Sequence, residues 1–186
     1  MASAFTHGFV AIAFNRLLLP GTMERRIWTL GLLCSVLPDI DVLGFRFGIP
    51  YRHWLGHRGF FHSLPFALLA GTAVMLLAFR DLPRFSKQWW LLASYFFIVT
   101  ASHGVLDAMT DGGYGIAFLS PFDSTRWFFP WQPLTVSPIG VHGFISRWGW
   151  NVIKSELLSI WLPVLVLLAL VIRIRRRVSG RLPIGR

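Results

Sequence analysis

The sequence predicts an all-α protein, a polytopic membrane helix bundle of about five transmembrane helices with a long aromatic loop before the last. Three observations carry that expectation. Hydrophobic residues make up 54% of the 186-residue chain and charged residues only 14%, with a mean hydropathy of +0.58, whereas soluble domains carry about 25% charged residues. The apolar residues fall into long runs, without the repeated alternation of barrel strands. Arginines bracket those runs and supply most of the net charge of +10. A pI near 11.4 would suit a nucleic-acid binder if the bases formed one soluble face. Flanking apolar runs, they suit lipid headgroups instead, and no nucleic-acid partner is expected.

The runs justify themselves in order. Residues 3–19 form a short first segment holding His7, Asn15 and Arg16. Residues 27–45 form the second, which ends in Pro38-Asp39-Ile40-Asp41. The third, 63–79, carries no charge, and the fourth, 89–109, has His103 and Asp107 in its last turns. The fifth, 157–172, is closed by Arg173 and Arg175-Arg176-Arg177. Each reaches or approaches the roughly 17–25 residues that a span requires, the first and fifth marginally. One domain over 1–178 is expected, with a disordered tail over 179–186. The connection 110–156, rich in Gly, Pro, Trp and Phe, reads as a loop at the headgroup level. Cys34 is the only cysteine, which excludes an internal disulfide and a thiolate cluster. The N-terminus lacks a basic leader and a small-residue cleavage site, so the first segment is expected to stay in the mature chain.

The C-terminal arginines predict a cytoplasmic C-terminus. Counting back over five spans puts the N-terminus outside and the basic connections with Arg25, Arg26, Arg80, Arg84 and Lys87 inside. His7, Asp39, Asp41, His57, His62, His103 and Asp107 then gather at the outer ends of four segments, at one membrane level. Reversing the orientation moves this group to the other face without dispersing it. Charges in or beside spans are costly and mark function. Arg58 can neutralise one carboxylate but not the set, whereas a divalent metal satisfies it.

The spacings suit ligation. His103 and Asp107 are an i, i+4 pair on one helical face, and Asp111 extends the row if the helix continues through Gly112-Gly113. Asp39 and Asp41 cannot share an α-helical face, so one is read as ligating and the other as bridging at a frayed end. His57 and His62 fit if Gly59 turns the chain and Ser63 starts the next helix. Each element has a plainer reading: an orienting hydrogen-bonded pair, a turn, an interfacial histidine. Jointly they point to a divalent metal, one or two ions. Histidine and carboxylate ligands without thiolate suit zinc first, with manganese or iron as alternatives. His53 and His142 read as interface or substrate contacts.

On Thr6-His7, Leu37-Pro38-Asp39-Ile40-Asp41, Gly56-His57-Arg58-Gly59-Phe60-Phe61-His62-Ser63 and Ser102-His103-Gly104-Val105-Leu106-Asp107, the chain resembles the YdjM-type family of bacterial inner-membrane proteins. Gly112-Gly113 and residues 120–131 look similar as well. The resemblance implies a LexA-regulated, SOS-response metal-dependent hydrolase of the inner membrane. More faintly, the chain resembles zinc-dependent phospholipase C enzymes, which are helical and use His-x-x-x-Asp ligands. The expected reaction is hydrolysis of a phosphoester on a membrane lipid or lipid-linked molecule, at the periplasmic face. Arg58 is expected to grip the phosphate, Arg126 and His53 to meet the substrate, and Asp111 to act as general base or further ligand. The alternative is a non-enzymatic metal-binding or transport protein, although the third and fifth segments offer almost no polar path. A histidine-nucleophile phosphatase lacks its upstream arginine here. No protease motif is present.

Overall fold

The computed structural model describes residues 1–20 and 24–179. The expected tail therefore lies, from residue 180 onward, outside the described residues. Helix α1, Ala4–Leu18, starts where Ser3 Oγ accepts from Thr6 N–H at 3.3 Å. Helix α2, Arg25–Val36, gives way to a 3₁₀-helix, Leu37–Phe47. Pro38 has no N–H to return to the preceding turn, so the α pattern cannot continue through it. Gly48, in the left-handed region at φ 73°, stops the 3₁₀-helix.

A connection over 48–63, with a 3₁₀ turn at Phe60–His62, leads to α3, Leu64–Ala78. Ser63 caps α3 by accepting from Phe66 N–H at 3.2 Å, and a proline stands in its first turn. Ser86 likewise caps α4, Lys87–Ala108. A single turn, α5 (Val141–Phe144), precedes α6, Arg147–Glu156. A π turn, Leu157–Trp161, joins α6 to α7, Leu162–Ser179.

Among the described residues, three helical stretches are long and apolar enough to cross a bilayer: Arg25–Phe47, Lys87–Ala108 and Arg147–Val178. Helices α1 and α3 have 15 residues each. At 1.5 Å per residue they reach about 22 Å, short of a hydrocarbon core of about 30 Å. Length thus supports three spans where five were expected. The expected segments 3–19 and 63–79 exceed α1 and α3 only by their cap residues, Ser3 and Leu19, and Ser63 and Phe79. The last span also begins ten residues before its expected start, because 147–156 is helical. Only 6% of its apolar window is buried, so most of its apolar surface is uncovered by the rest of the chain.

The chain runs up and down, so helix ends alternate between two levels. One level holds the apolar core, where Leu19, Ile27, Phe79, Trp89 and Phe96 pack together. Small residues allow the helices to approach: a Cβ on Gly31 would meet the Tyr95 hydroxyl, and one on Gly71 would lie 3.0 Å from Phe97 N. The other level collects the polar ends. There the segment after α4 is no free loop. Ile116 and Trp127 exchange backbone hydrogen bonds at 2.9 Å, Ala117 N–H reaches Arg58 C=O at 3.1 Å, and Leu64 N–H reaches Phe118 C=O at 2.9 Å. This cap fixes the connection 48–63 against α4.

Gly104 shows how close that approach is: a Cβ there would sit 2.6 Å from the His62 carbonyl oxygen. Glycine to alanine inside a helix ordinarily stabilises by about 1 kcal/mol. Overpacking against backbone costs about 1–3 kcal/mol, and the His62 carbonyl sits between a 3₁₀ turn and a capped helix. Gly104→Ala is therefore expected to lower the unfolding temperature in detergent. A raised temperature would contradict this packing.

Candidate metal centre

Four side chains from three elements converge at the polar level. His103 and Asp107 project from one face of α4, Asp39 comes from the 3₁₀-helix, and His62 ends the turn just before α3. His62 Nε2 lies 3.2 Å from His103 Nε2, 3.6 Å from Asp39 Oδ1 and 3.5 Å from Asp107 Oδ2. His103 Nε2 lies 3.3 Å from Asp39 Oδ1 and 3.9 Å from Asp107 Oδ2. A tetrahedral ion with bonds of about 2.0–2.2 Å holds its ligand atoms about 3.3–3.6 Å apart. Four of these five separations lie within about 0.1 Å of that range, and all four atoms lie within 4.8 Å of one another. Two of them, Asp39 Oδ1 and Asp107 Oδ2, are buried without a hydrogen-bond partner.

The neighbouring atoms orient this set. His103 Nδ1 lies 2.8 Å from the Ser35 carbonyl, which can only accept, so Nδ1 carries the proton and Nε2 the lone pair. Asp107 Oδ1 accepts from Ala2 N–H at 2.6 Å, leaving Oδ2 for the cluster. Asp41 faces the other side of His62, with Oδ2 at 3.0 Å from Nδ1. Its Oδ1 is 2.7 Å from His57 Nδ1 and its Oδ2 accepts from Arg58 N–H at 3.1 Å.

The 3₁₀ geometry separates the two aspartates. With three residues per turn, Pro38 and Asp41 share the buried row, Leu37, Ile40 and Leu43 the exposed one, and Asp39 lies at the rim. A frayed end with one ligating and one bridging carboxylate was the expectation. The observed contacts instead place Asp41 behind the histidines. Asp41, His57 and His62 do form a second close donor group. Its shortest pair, Asp41 Oδ1 and His57 Nδ1 at 2.7 Å, has the length of a charge-assisted hydrogen bond, while the other atoms of this group keep it a candidate second cation site. His7 stacks on His103 with centroids 3.7 Å apart, its Nε2 3.4 Å from Asp107 Oδ1. It stands beside the four atoms, with neither nitrogen hydrogen-bonded.

The charge balance points the same way. Asp39, Asp41 and Asp107 share two cationic groups, the buried Arg58 guanidinium and the largely buried N-terminal amine of Met1, which acts on Asp107. Burial pushes the His57 imidazole below its ordinary pKa despite the pull of Asp41, which favours the neutral form. Burial acts on His62 in the same sense, but its hydrogen bonds to Asp107, Asp39 and Asp41 prevail and raise it well above the ordinary value. A proton on His62 answers the same excess of negative charge that a metal cation would.

Other expected site residues lie elsewhere or are otherwise engaged. Arg58 is fully buried in a left-handed conformation at φ 66°. It donates to Gly112 C=O at 2.6 Å and Thr110 Oγ1 at 2.9 Å, with Nε 3.6 Å from Asp107 Oδ2. Nε has no hydrogen-bond partner, but the group is fully buried, which suits an internal counter-charge to Asp107 where a phosphate grip was expected. Arg126 donates to the His57 and Tyr51 carbonyls at 3.1 Å each and lies over the Tyr51 ring. It clasps the connection 48–63, which differs from the expected substrate arm. Asp111 is exposed, and its carboxylate accepts from Val136 N–H at 2.8 Å. It braces a loop and makes no hydrogen bond or ion pair to the cluster, because α4 stops at Ala108. His53 and His142 are exposed. Glu156 went unnoticed in the sequence: it is fully buried and accepts from Ser3 and Thr6. As one of two glutamates, beside an apolar run, it carried a signal that could have marked it.

Fold and site together define an integral membrane protein whose helix ends enclose a histidine–carboxylate cluster fit for a divalent cation. The chain belongs to the YdjM inner membrane protein family, matched over residues 1–179. It is similar to the inner membrane protein YbcI of Escherichia coli (strain K12), at 34% identity over 170 residues, 91% of this chain and 96% of that protein. No solved structure matches it. Family, relative and apolar helices together support an inner-membrane location.

The separation of ligating from orienting residues has a measurable consequence. In a competition titration with a chromophoric zinc chelator, Asp39→Asn is expected to abolish tight binding. Asp41→Asn is expected to weaken it by about 10–100-fold, as for orienting groups behind metal ligands. Equal losses in the two variants would contradict the assignment.

Proposed function

We propose that this protein is a membrane-bound metal-dependent hydrolase that cleaves a phosphoester of a lipid or lipid-linked substrate. The observation that carries the proposal is where the four-atom cluster opens. Three of its side chains are fully buried, and Asp39, at 17% exposure, is the exception. Asp39 borders the row Leu37, Ile40 and Leu43, all exposed and apolar. An approach lined in this way suits a substrate that stays in the bilayer.

Asp39, His62, His103 and Asp107 would hold the ion, with zinc matching their tetrahedral spacing and their nitrogen and oxygen donors. A bound divalent ion supplies Lewis acidity, polarising a phosphoryl oxygen and making water more acidic. The chain's own residues do the rest. Asp41 holds the His57 ring in one orientation, and that carboxylate–imidazole pair, in place of Asp111, is suited to accept a proton from the attacking water. Arg58 holds Asp107 and the turn after α4 in place. An anionic headgroup would meet Arg52 and His53, both exposed, with Arg52 over the Tyr114 ring. The flanking arginines support a periplasmic level for the centre and a cytoplasmic C-terminus.

One observation favours a second reading, a metal-binding protein without catalysis. Four protein donors fill a tetrahedral shell, as in structural sites, whereas catalytic zinc keeps a position open. Turnover therefore requires Asp39 to yield at the rim or the shell to expand.

The test is incubation of zinc-loaded protein with vesicles of bacterial inner-membrane phospholipid, following released phosphate, phosphoalcohol and diacylglycerol. Release by the wild type that is absent in Asp39→Asn is expected. Stoichiometric zinc with no product from any phospholipid would overturn the hydrolase and leave the second reading.

A further inference from the structure

Glu156 is remote in sequence from every residue of the cluster, yet it is fully buried. A carboxylate in a membrane helix is costly unless it is satisfied. This one accepts from Ser3 N–H at 2.5 Å, Ser3 Oγ at 2.6 Å and Thr6 Oγ1 at 2.8 Å. It therefore caps the N-terminus of α1, where a negative charge also complements the helix dipole. The preceding residue, Ala2, is fully buried and donates its N–H to Asp107 Oδ1 at 2.6 Å. A continuous path of hydrogen bonds and backbone thus runs from Glu156 through Ser3 and Ala2 to a cluster carboxylate.

The π turn provides a second, independent observation. Residues five apart on an α-helix point to different faces. Across Leu157–Trp161 the helix is widened, and Glu156 and Trp161 both reach Thr6: Trp161 Nε1 donates to Thr6 Oγ1 at 2.7 Å. Single π turns of this kind recur at functional positions. Here the turn lets α6 and α7 grip α1 at one point from two side chains.

We propose that Glu156 is a positioning residue of the metal centre. It fixes the start of α1 so that the Ala2 amide holds Asp107 Oδ1 and leaves Oδ2 to the ion. This rests on the metal-centre reading but not on hydrolysis.

The test is the zinc dissociation constant, by chelator competition, for the wild type, Glu156→Gln, Ala2→Pro and the double variant, with the unfolding temperature of each metal-free protein. Each single change is expected to weaken zinc binding by about 10–100-fold. The double variant should be no weaker than the worse single, since both changes break one path. Wild-type affinity in folded Glu156→Gln would overturn the proposal, as would additive losses, which mark separate packing effects. If Glu156→Gln does not fold, Trp161→Phe is the milder break: weakened binding supports the path and unchanged binding overturns it. A wild-type protein that binds no zinc would remove the metal centre itself, a result distinct from either.

Discussion

Everything at the polar level of this bundle depends on one electrostatic constraint: the carboxylates of Asp39 and Asp107 are held close together beside two imidazoles, largely out of water. Charged groups at span centres cost about 2.5–3.5 kcal/mol each on insertion scales, and like charges brought together cost more. Arg58 offsets part of this excess through Asp107. The N-terminal amine of Met1 offsets a further part at Asp107, and a proton on His62 or a bound cation would balance the rest. The surrounding hydrogen bonds make sense on that basis. Ser35, Ala2 and Asp41 each face the outward side of one of these residues, so the inward atoms of the cluster meet one another.

The fold creates the constraint by alternation. Apolar residues of α1 to α4 pack at one level, and the chain reverses so that the start of α1, the end of the 3₁₀-helix, the start of α3 and the end of α4 share the other. The segment after α4 then closes over the connection 48–63 through backbone bonds and Arg126. This cap and the serine-capped starts of α1 and α3 hold the elements that carry the site.

Much of this was legible in the sequence. Apolar periodicity and helix direction were enough to bring His7, Asp39, Asp41, His57, His62, His103 and Asp107 to one level, and the i, i+4 spacing placed His103 and Asp107 on one face. Roles within the group were not legible. Pro38 announced a break in α2 but not an 11-residue 3₁₀-helix, and that period decides why Asp39 stands at the rim and Asp41 behind it. Arg58 and Arg126 look alike as basic residues, and only tertiary contacts show both guanidinium groups turned onto the protein. Helix length by itself bears out three of the five expected spans, because α1 and α3 have 15 residues each. Glu156 reads from the sequence only as a loop boundary, because its partners lie about 150 residues away.

The most direct measurement of the central claim is X-ray absorption at the zinc edge on detergent-purified protein, prepared without chelators and assayed for metal content. The expected result is close to one zinc per chain, with a first shell of nitrogen and oxygen at about 2.0–2.1 Å, imidazole scattering from two histidines and no sulfur. Protein that carries no stoichiometric metal, or that binds it through fewer than two imidazoles, would contradict a centre built from Asp39, His62, His103 and Asp107.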